Sequence, residues 1–341
     1  MPQRTGADMD GTLTETISSS ITVQLPRPVT RPVRSLRLLD PAAFVAAGAA
    51  VGLYAWLTAL EPGALSYSGI ALVLTGAIPL IFAAVGQMVV ISLGDIDLGT
   101  GYGIGLVNSI AAITMLHDAL LGWSLLLTVI LGYGVIGLLV AWRGLPAIIV
   151  TLGGSFIWLG IGLIIAPTPA GSSPAWLTHL MALSPPGVPF PIVVSVIVMV
   201  LGGGIVTMTR AGVLLRAAGS NRGAVRVYGG NLVRIKIAAY LVAGVCVVLG
   251  GLSLTGITGT GSVTGSSDYT LLAIAGVILG GGEFRGGKAP VVGVVCGAIA
   301  LSLVTSVMGV LNVSSSLQTG IEGLVLVAAI LARRFVLWRR T

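Results

Sequence analysis

A chain of 341 residues that is 55% hydrophobic and only 9% charged is excluded from the soluble globular class, where charged residues make up about a quarter of the total. With a mean hydropathy of +1.04, its surface in water would be a single aggregation-prone patch. Two cysteines in apolar runs, Cys246 and Cys296, and two isolated histidines, His117 and His179, give no disulfide framework or zinc pattern, and the excess of basic over acidic residues, +7, is explained below by where the charges lie.

Residues 1–40 are polar and carry Arg27, Arg31, Arg34 and Arg37. They read as a disordered cytoplasmic tail ending in a basic collar, ahead of a transmembrane domain over 41–341. The apolar run that follows, 42–60, exceeds the h-region of a cleaved signal peptide and reads as a first membrane span. A span needs about 20 apolar residues. Runs of this kind recur at 70–92, 99–116, 120–141, 147–166, 189–208, 236–257, 269–281, 290–311 and 320–337. The expected fold is therefore all-α and polytopic, with about ten transmembrane helices. The third run opens in glycines. The eighth, "YTLLAIAGVILGG", is short for a straight crossing and reads as a half-helix or re-entrant segment buried in protein.

With the N-terminus inside, all 18 Lys and Arg fall in inner segments or at inner span ends, and none in the outer segments 61–69, 117–119, 167–188, 258–268 and 312–319. The positive-inside rule then gives N-in and C-in. The same distribution accounts for the basic balance without a nucleic-acid partner. Glycine occurs 50 times, mostly read as close helix packing, with Gly293 and Gly297 as candidate contacts.

Between the sixth and seventh spans, the inner loop 209–235 contains the polar island "GSNRGAVRVYGG" at 219–230. Ser220 or Asn221 can cap a helix start, and Gly229 with Gly230 can close its end. Ala224, Val225 and Tyr228 share one face of the intervening two turns, and Arg222 and Arg226 another. A helix of two turns is unstable alone, so it reads either as a loop touching lipid headgroups or as a docking knob for a cytoplasmic partner.

This stretch resembles the permease subunit of ribose-type bacterial ABC importers, which carry a pattern close to R-A-x-G-x-N-x-x-A-A-x-x-x-G-I-N-V. Arg216, Ala217, Gly219, Asn221, Ala224, Gly229 and Asn231 match it; Val225 and Gly230 depart from it. "GQMVVISLGDIDLGTG" at 86–101 resembles G-Q-T-L-V-I-L-T-G-G-I-D-L-S-V-G, with Asp95 standing for a glycine and Gly99 for a serine. "PAIIVTLGG" at 146–154 and "VILGGGEFRGGKAPVVG" at 277–293 resemble two further motifs of that family. The resemblance implies an inner-membrane permease subunit that is not an enzyme and has no cofactor, catalytic or metal-binding residue of its own. It implies three partners: ATP-binding cassette ATPase subunits, a periplasmic substrate-binding protein and a second permease copy. It also makes Arg216, Gly219, Asn221, Ala224, Tyr228 and Gly229 the coupling element that seats in the ATPase.

Candidates for the translocation path are Gln87, Asp95, Asp97, Asn108, Ser155, Trp158 and Thr255, although helix-interior polar groups equally serve as interhelical glue. For Asp95 and Asp97 the first reading is structural, at a wet helix end facing the dipole of the third span. A branched-chain amino-acid or nucleoside permease shares the fold and is the nearest alternative. An ion-coupled secondary transporter needs mid-span acids and an inverted repeat, and an intramembrane enzyme a nucleophile–base pair; the sequence shows neither.

Overall fold

The structure, a computed structural model, describes residues 41–221 and 230–314 together with 223, 225, 317, 318, 320, 321, 323 and 324. Apart from an isolated bridge between Ala170 and Gly261, regular structure among the described residues is helical. The helices are α1 (Pro41–Leu60), α2 (Tyr67–Thr75), α3 (Ala77–Ser92), α4 (Thr100–Ser109), α5 (Ala119–Trp142) and α6 (Ala147–Ile165), then α7 (Ala175–Met181), α8 (Phe190–Met208), α9 (Arg210–Ser220), α10 (Leu232–Thr258), α11 (Tyr269–Leu279) and α12 (Val291–Val310). A π-turn at Ile110–Thr114 prolongs α4 into a last short turn, Met115–His117.

Eight of these helices start in one of two ways. Before α6, α7, α8 and α12 stands a proline, Pro146, Pro174, Pro189 or Pro290, a residue with no N–H to leave unpaired. Ahead of α2, α5, α9 and α10 a polar side chain caps. Asp118 accepts from Leu121 N at 3.0 Å ahead of α5, Thr209 from Gly212 N at 3.2 Å ahead of α9, and Asn231 from Val233 N and Arg234 N ahead of α10. These bonds meet the orphan donors that every helix start leaves.

Among the described residues, six helices are long and apolar enough to cross a membrane, or seven if α2 and α3, which meet at 42°, form one bent span. The fold is thus all-α and polytopic. The count of span-length helices is lower than the ten apolar runs for identifiable reasons. The third run is broken by the π-turn, and the eighth yields only the 11 residues of α11. Most of the tenth run lies outside the described residues. Two runs of connecting sequence also prove helical: α7, within 167–188, and α9, within 209–235.

The long α10 packs along α3, α4 and α5, and α12 along α1, α3 and α11, so α3 lies between the two most enclosed of the span-length helices. Large apolar side chains on α5, α6 and α8, among them Leu120, Leu131, Phe156, Ile164, Val200 and Met208, stay exposed, as a lipid solvent requires.

Gly293 and Gly297 make their contacts within the chain. A Cβ at Gly293 would fall on the Gly280 carbonyl oxygen, and one at Gly297 would lie 2.5 Å from that of Gly276. Backbone therefore meets backbone between α11 and α12, the small-residue packing that lipid-embedded helices favour. Gly297→Leu is expected to push α11 from α12 and lower the melting temperature of the purified protein by several degrees, as overpacking costs about 1–3 kcal/mol or more. Gly160→Leu, at an exposed site with nothing within 4 Å, is expected to leave it nearly unchanged in the same thermal-shift measurement.

Candidate functional site

The chain leaves helical geometry between α3 and α4, and the polar residues gather there. Asp97 is buried. Its Oδ1 accepts from Gly99 N at 2.7 Å and its Oδ2 from the Thr100 hydroxyl at 2.8 Å, so the carboxylate sits at the N-terminus of α4 where dipole and orphan donors both favour it. Thr151 of α6 completes the crossover: its hydroxyl accepts from Leu98 N at 3.1 Å and faces the Ile96 carbonyl at 3.2 Å. On the far side, Gly101 N donates to Thr270 Oγ1 at 2.8 Å and Ser266 Oγ to the Gly101 carbonyl at 2.9 Å, joining α4 to the start of α11.

Asp95 forms a buried ion pair with Lys236, in the first turn of α10, with Nζ at 2.6 Å from Oδ2 and 3.0 Å from Oδ1. Neither acid lies at a wet helix end, which corrects that expectation. Both are buried, and each is met by named partners.

Three segments meet backbone to backbone beside this pair. The Ser92 carbonyl accepts from Gly287 N at 2.8 Å, and Ser92 Oγ donates to the Lys288 carbonyl at 3.0 Å. Gly219, next to last in α9, presses on both strands of the contact. A Cβ there would fall on the Ser92 oxygen and lie 2.5 Å from Gly287 N. Gly286 and Gly287 turn at φ of 78° and 82°, a conformation L side chains avoid, and the turn is braced by a Glu283–Lys288 ion pair at 2.6 Å. The end of α3, the end of α9 and the 283–288 turn therefore form one glycine-mediated junction.

The coupling candidates are placed in part. Arg216 is half-buried, its Nε donating to the Gly212 carbonyl at 3.3 Å. Asn221 is exposed and extended, with φ −154°. Ala224, Tyr228 and Gly229 lie outside the described residues. Val225 is buried in the main core, and Gly230 N donates to its carbonyl at 2.8 Å. Ser220 is the last residue of α9, its hydroxyl donating to the Arg216 carbonyl at 3.0 Å, and so starts no helix; the apolar positions of 210–220 extend that helix up to the island.

The translocation candidates separate into two groups. Gln87, Asp95, Asp97 and Trp158 gather at the α3–α4 crossover: Gln87 Oε1 is 3.2 Å from the Thr100 hydroxyl, and Trp158 stacks on Tyr133 with centroids 5.8 Å apart. Asn108 lies towards the opposite end of α4. With its amide nitrogen facing Thr255 Oγ1 at 2.8 Å and the Thr260 carbonyl at 2.9 Å, and its oxygen facing Ser262 N at 3.2 Å, it is fully bonded. Asn108 and Thr255 thus occupy one another. Ser155 donates to the Leu152 carbonyl at 2.6 Å on its own helix. Lys236, Thr151, Tyr133 and Thr270 belong to the crossover and were not singled out from the sequence; a lone Lys five residues inside a helix cap was the available signal for Lys236. Among the described residues, no group of three or more His, Cys, Asp or Glu could hold a metal ion.

Among the described residues, an all-helical bundle with six span-length apolar helices is the architecture of a multi-pass membrane protein. The chain belongs to the family of branched-chain amino acid transport system permease components, whose family model matches residues 69–330. Members of that family are permeases, not enzymes, and this one is a multi-pass protein of the bacterial inner membrane. It is 28% identical to the xylose transport system permease protein of Escherichia coli K12, over 90% of this chain and 95% of that one. It is 31% identical to the ribose import permease protein of Haemophilus influenzae, over 74% and 81%, and 28% identical to the D-allose transport system permease protein of Escherichia coli K12, over 75% and 80%. No solved structure matches at comparable significance.

Removing one member of a buried ion pair strands the other charge. Asp95→Leu or Lys236→Met alone is therefore expected to destabilise the protein by about 3–5 kcal/mol. The double variant is expected to recover most of that loss, because two apolar groups replace the pair. Denaturant or thermal unfolding of the four proteins in detergent measures the cycle, and additive losses would contradict it.

Proposed function

We propose that the chain is the membrane-spanning subunit of a binding-protein-dependent ABC importer for a monosaccharide. The observation that carries this reading is that relatives named for xylose, ribose and D-allose transport align along most of the chain, together with the coupling pattern at 216–231. A branched-chain amino-acid or nucleoside substrate is the alternative within the same fold. Its partners in this reading are ATP-binding cassette ATPase subunits, a periplasmic binding protein and a second permease, identical or sister. Free energy enters at the ATPase, and its closure biases a bistable membrane element.

The coupling element in this reading is Arg216, Gly219, Asn221, Ala224, Tyr228 and Gly229. Its support is position: α9 ends at the glycine junction with α3, and α10 begins four residues before Lys236, whose ion pair holds the α3–α4 crossover. A push on the island therefore reaches α3, α4 and α10 through contacts that do not stretch. Gln87, Asp95, Asp97 and Trp158 act in this scheme as the fixed joint of those helices. Topologically the chain is read as N-in and C-in with ten membrane segments, the third and eighth being broken segments sheltered by protein. Residues 1–40 are the cytoplasmic tail and 209–235 the inner coupling segment.

Uptake of labelled pentoses and hexoses by cells expressing the complete system tests the substrate class; uptake of branched-chain amino acids instead would move the chain to the alternative. Ala224→Trp is expected to yield inserted permease whose complex binds nucleotide but transports at background, because bulk in the coupling motif blocks seating. Near-normal uptake by that variant would remove the coupling role.

Sidedness is testable with both native cysteines replaced. A cysteine at Ser173 is expected to react with an impermeant maleimide in intact cells, and one at Ser220 only after permeabilisation. The opposite pattern overturns the N-in topology.

A further inference from the structure

The segment joining α6 to α8 belongs to no span-length helix, yet it carries no charge. Between Arg143 and Arg210 the chain has no Lys, Arg, Asp or Glu. The helix in this segment, α7, is too short to be stable alone and rests on α10. A Cβ at Gly256 would lie 2.6 Å from Met181 Cγ and 3.1 Å from Leu177 Cγ. The chain beyond α7 is held by Tyr67, whose hydroxyl donates to the Pro185 carbonyl at 2.6 Å.

At about 100° per residue, α7 has three sides. Leu177 and Met181 face α10. Trp176 and Leu180, continued by Leu183 just past the helix end, fall within an arc of about 60° and are between 38% and 49% exposed. Thr178 and His179 take the remaining side and are exposed as well. An apolar stripe beside a polar one is the pattern of a helix lying in the plane of a membrane interface. Trp176 stacks on Trp123 of α5, with ring centroids 6.0 Å apart and planes at 26°. Trp123 shares its side of α5 with Leu120, Leu127 and Leu131, all exposed. The stripe on α7 therefore continues a surface that faces lipid.

We propose that α7 is an interfacial helix whose stripe of Trp176, Leu180 and Leu183 lies against phospholipid at the headgroup boundary, with Thr178 and His179 turned to water. Tryptophan collects at that depth because its ring joins an apolar body to one N–H donor, and the Trp123–Trp176 stack places two such rings side by side. A protein partner arriving from water is steered and held in register by charge complementarity, and this segment has no formal charge to offer one. With no cation on its polar side, the helix binds by its apolar area and needs no anionic lipid. Because α7 rests on the end of α10 and is stacked on the start of α5, its seat in the interface sets the depth of both helix ends.

Spin-label accessibility in phosphatidylcholine vesicles tests this, using the full chain with Cys246→Ala and Cys296→Ala. Nitroxides are introduced one at a time through Leu180→Cys, Leu183→Cys, His179→Cys and Leu131→Cys. Oxygen concentrates in lipid and a nickel chelate in water, so the ratio of their collision rates reports the solvent at each position. The ratio at Leu180→Cys and Leu183→Cys is expected to exceed that at His179→Cys several-fold and to approach that at Leu131→Cys. A ratio at either stripe position no higher than at His179→Cys overturns the proposal, because the stripe then faces water. Low collision rates with both reagents overturn it too, because a second copy of the chain then covers the stripe. All four labelled positions are exposed, and the two on the stripe are read separately, so loss of one variant leaves the other decisive. The result does not depend on the transported substrate, so it can fail while the importer reading holds, and the reverse.

Discussion

The constraint on which the rest of this molecule depends is the stretch of non-helical backbone at 93–99. In a lipid environment a helix satisfies its own amides, but a connection that runs inside the protein must find partners elsewhere. Here they are found in side chains from distant parts of the sequence. Thr151 takes Leu98 N, Asp97 takes Gly99 N, Thr270 takes Gly101 N, and the Ser92 carbonyl is taken by Gly287. Three of these bonds each bring a distant segment to the crossover, so α6, α11 and the 283–288 turn are placed by the needs of one short segment.

The Asp95–Lys236 pair belongs to the same arrangement but has a different energetic character. Desolvating two charges offsets much of their attraction, so the pair is weak support for stability and strong support for register. It allows one position of α10 relative to the crossover, since any slip leaves a charge without its partner. The glycine junction of α3, α9 and the 283–288 turn adds a steric limit, because backbones in direct contact can slide or rotate only as a unit.

Class and most helix positions were legible from composition and apolar runs, since lipid solvation imposes both directly. The 42–60, 120–141, 147–166, 189–208 and 290–311 runs correspond closely to α1, α5, α6, α8 and α12. What hydropathy alone could not show was where a run is internally broken: the bend at Gly76, the π-turn after Ser109 and the short α11 all lie within apolar sequence. At the site, the G-x-I-D-L stretch drew attention to Asp95 and Asp97, but their environment was misjudged. A local pattern cannot show that Lys236, 141 positions away from Asp95, encloses and neutralises one of them. Asn108 and Thr255 looked like a polar lining because their mutual bond spans 147 positions. The coupling pattern was legible as a pattern, and its anchorage through Gly219 and Val225 emerged only in three dimensions.

The π-turn at Ile110–Thr114 divides α4 into two halves that differ in their tolerance of length change. One extra residue is accommodated there, and the Ala112 carbonyl released from the regular ladder accepts from Ser172 N at 3.0 Å. Gly171, at φ 79°, lets that connection approach closely. Loss of a single residue would restore an unbroken α-helix, rotate the following turn by about 100° and detach the 166–174 connection, while the crossover at the other end kept its register. Insertions and deletions can therefore reshape this end of the helix without disturbing the crossover, giving the fold a place where chain length can vary apart from its fixed joint.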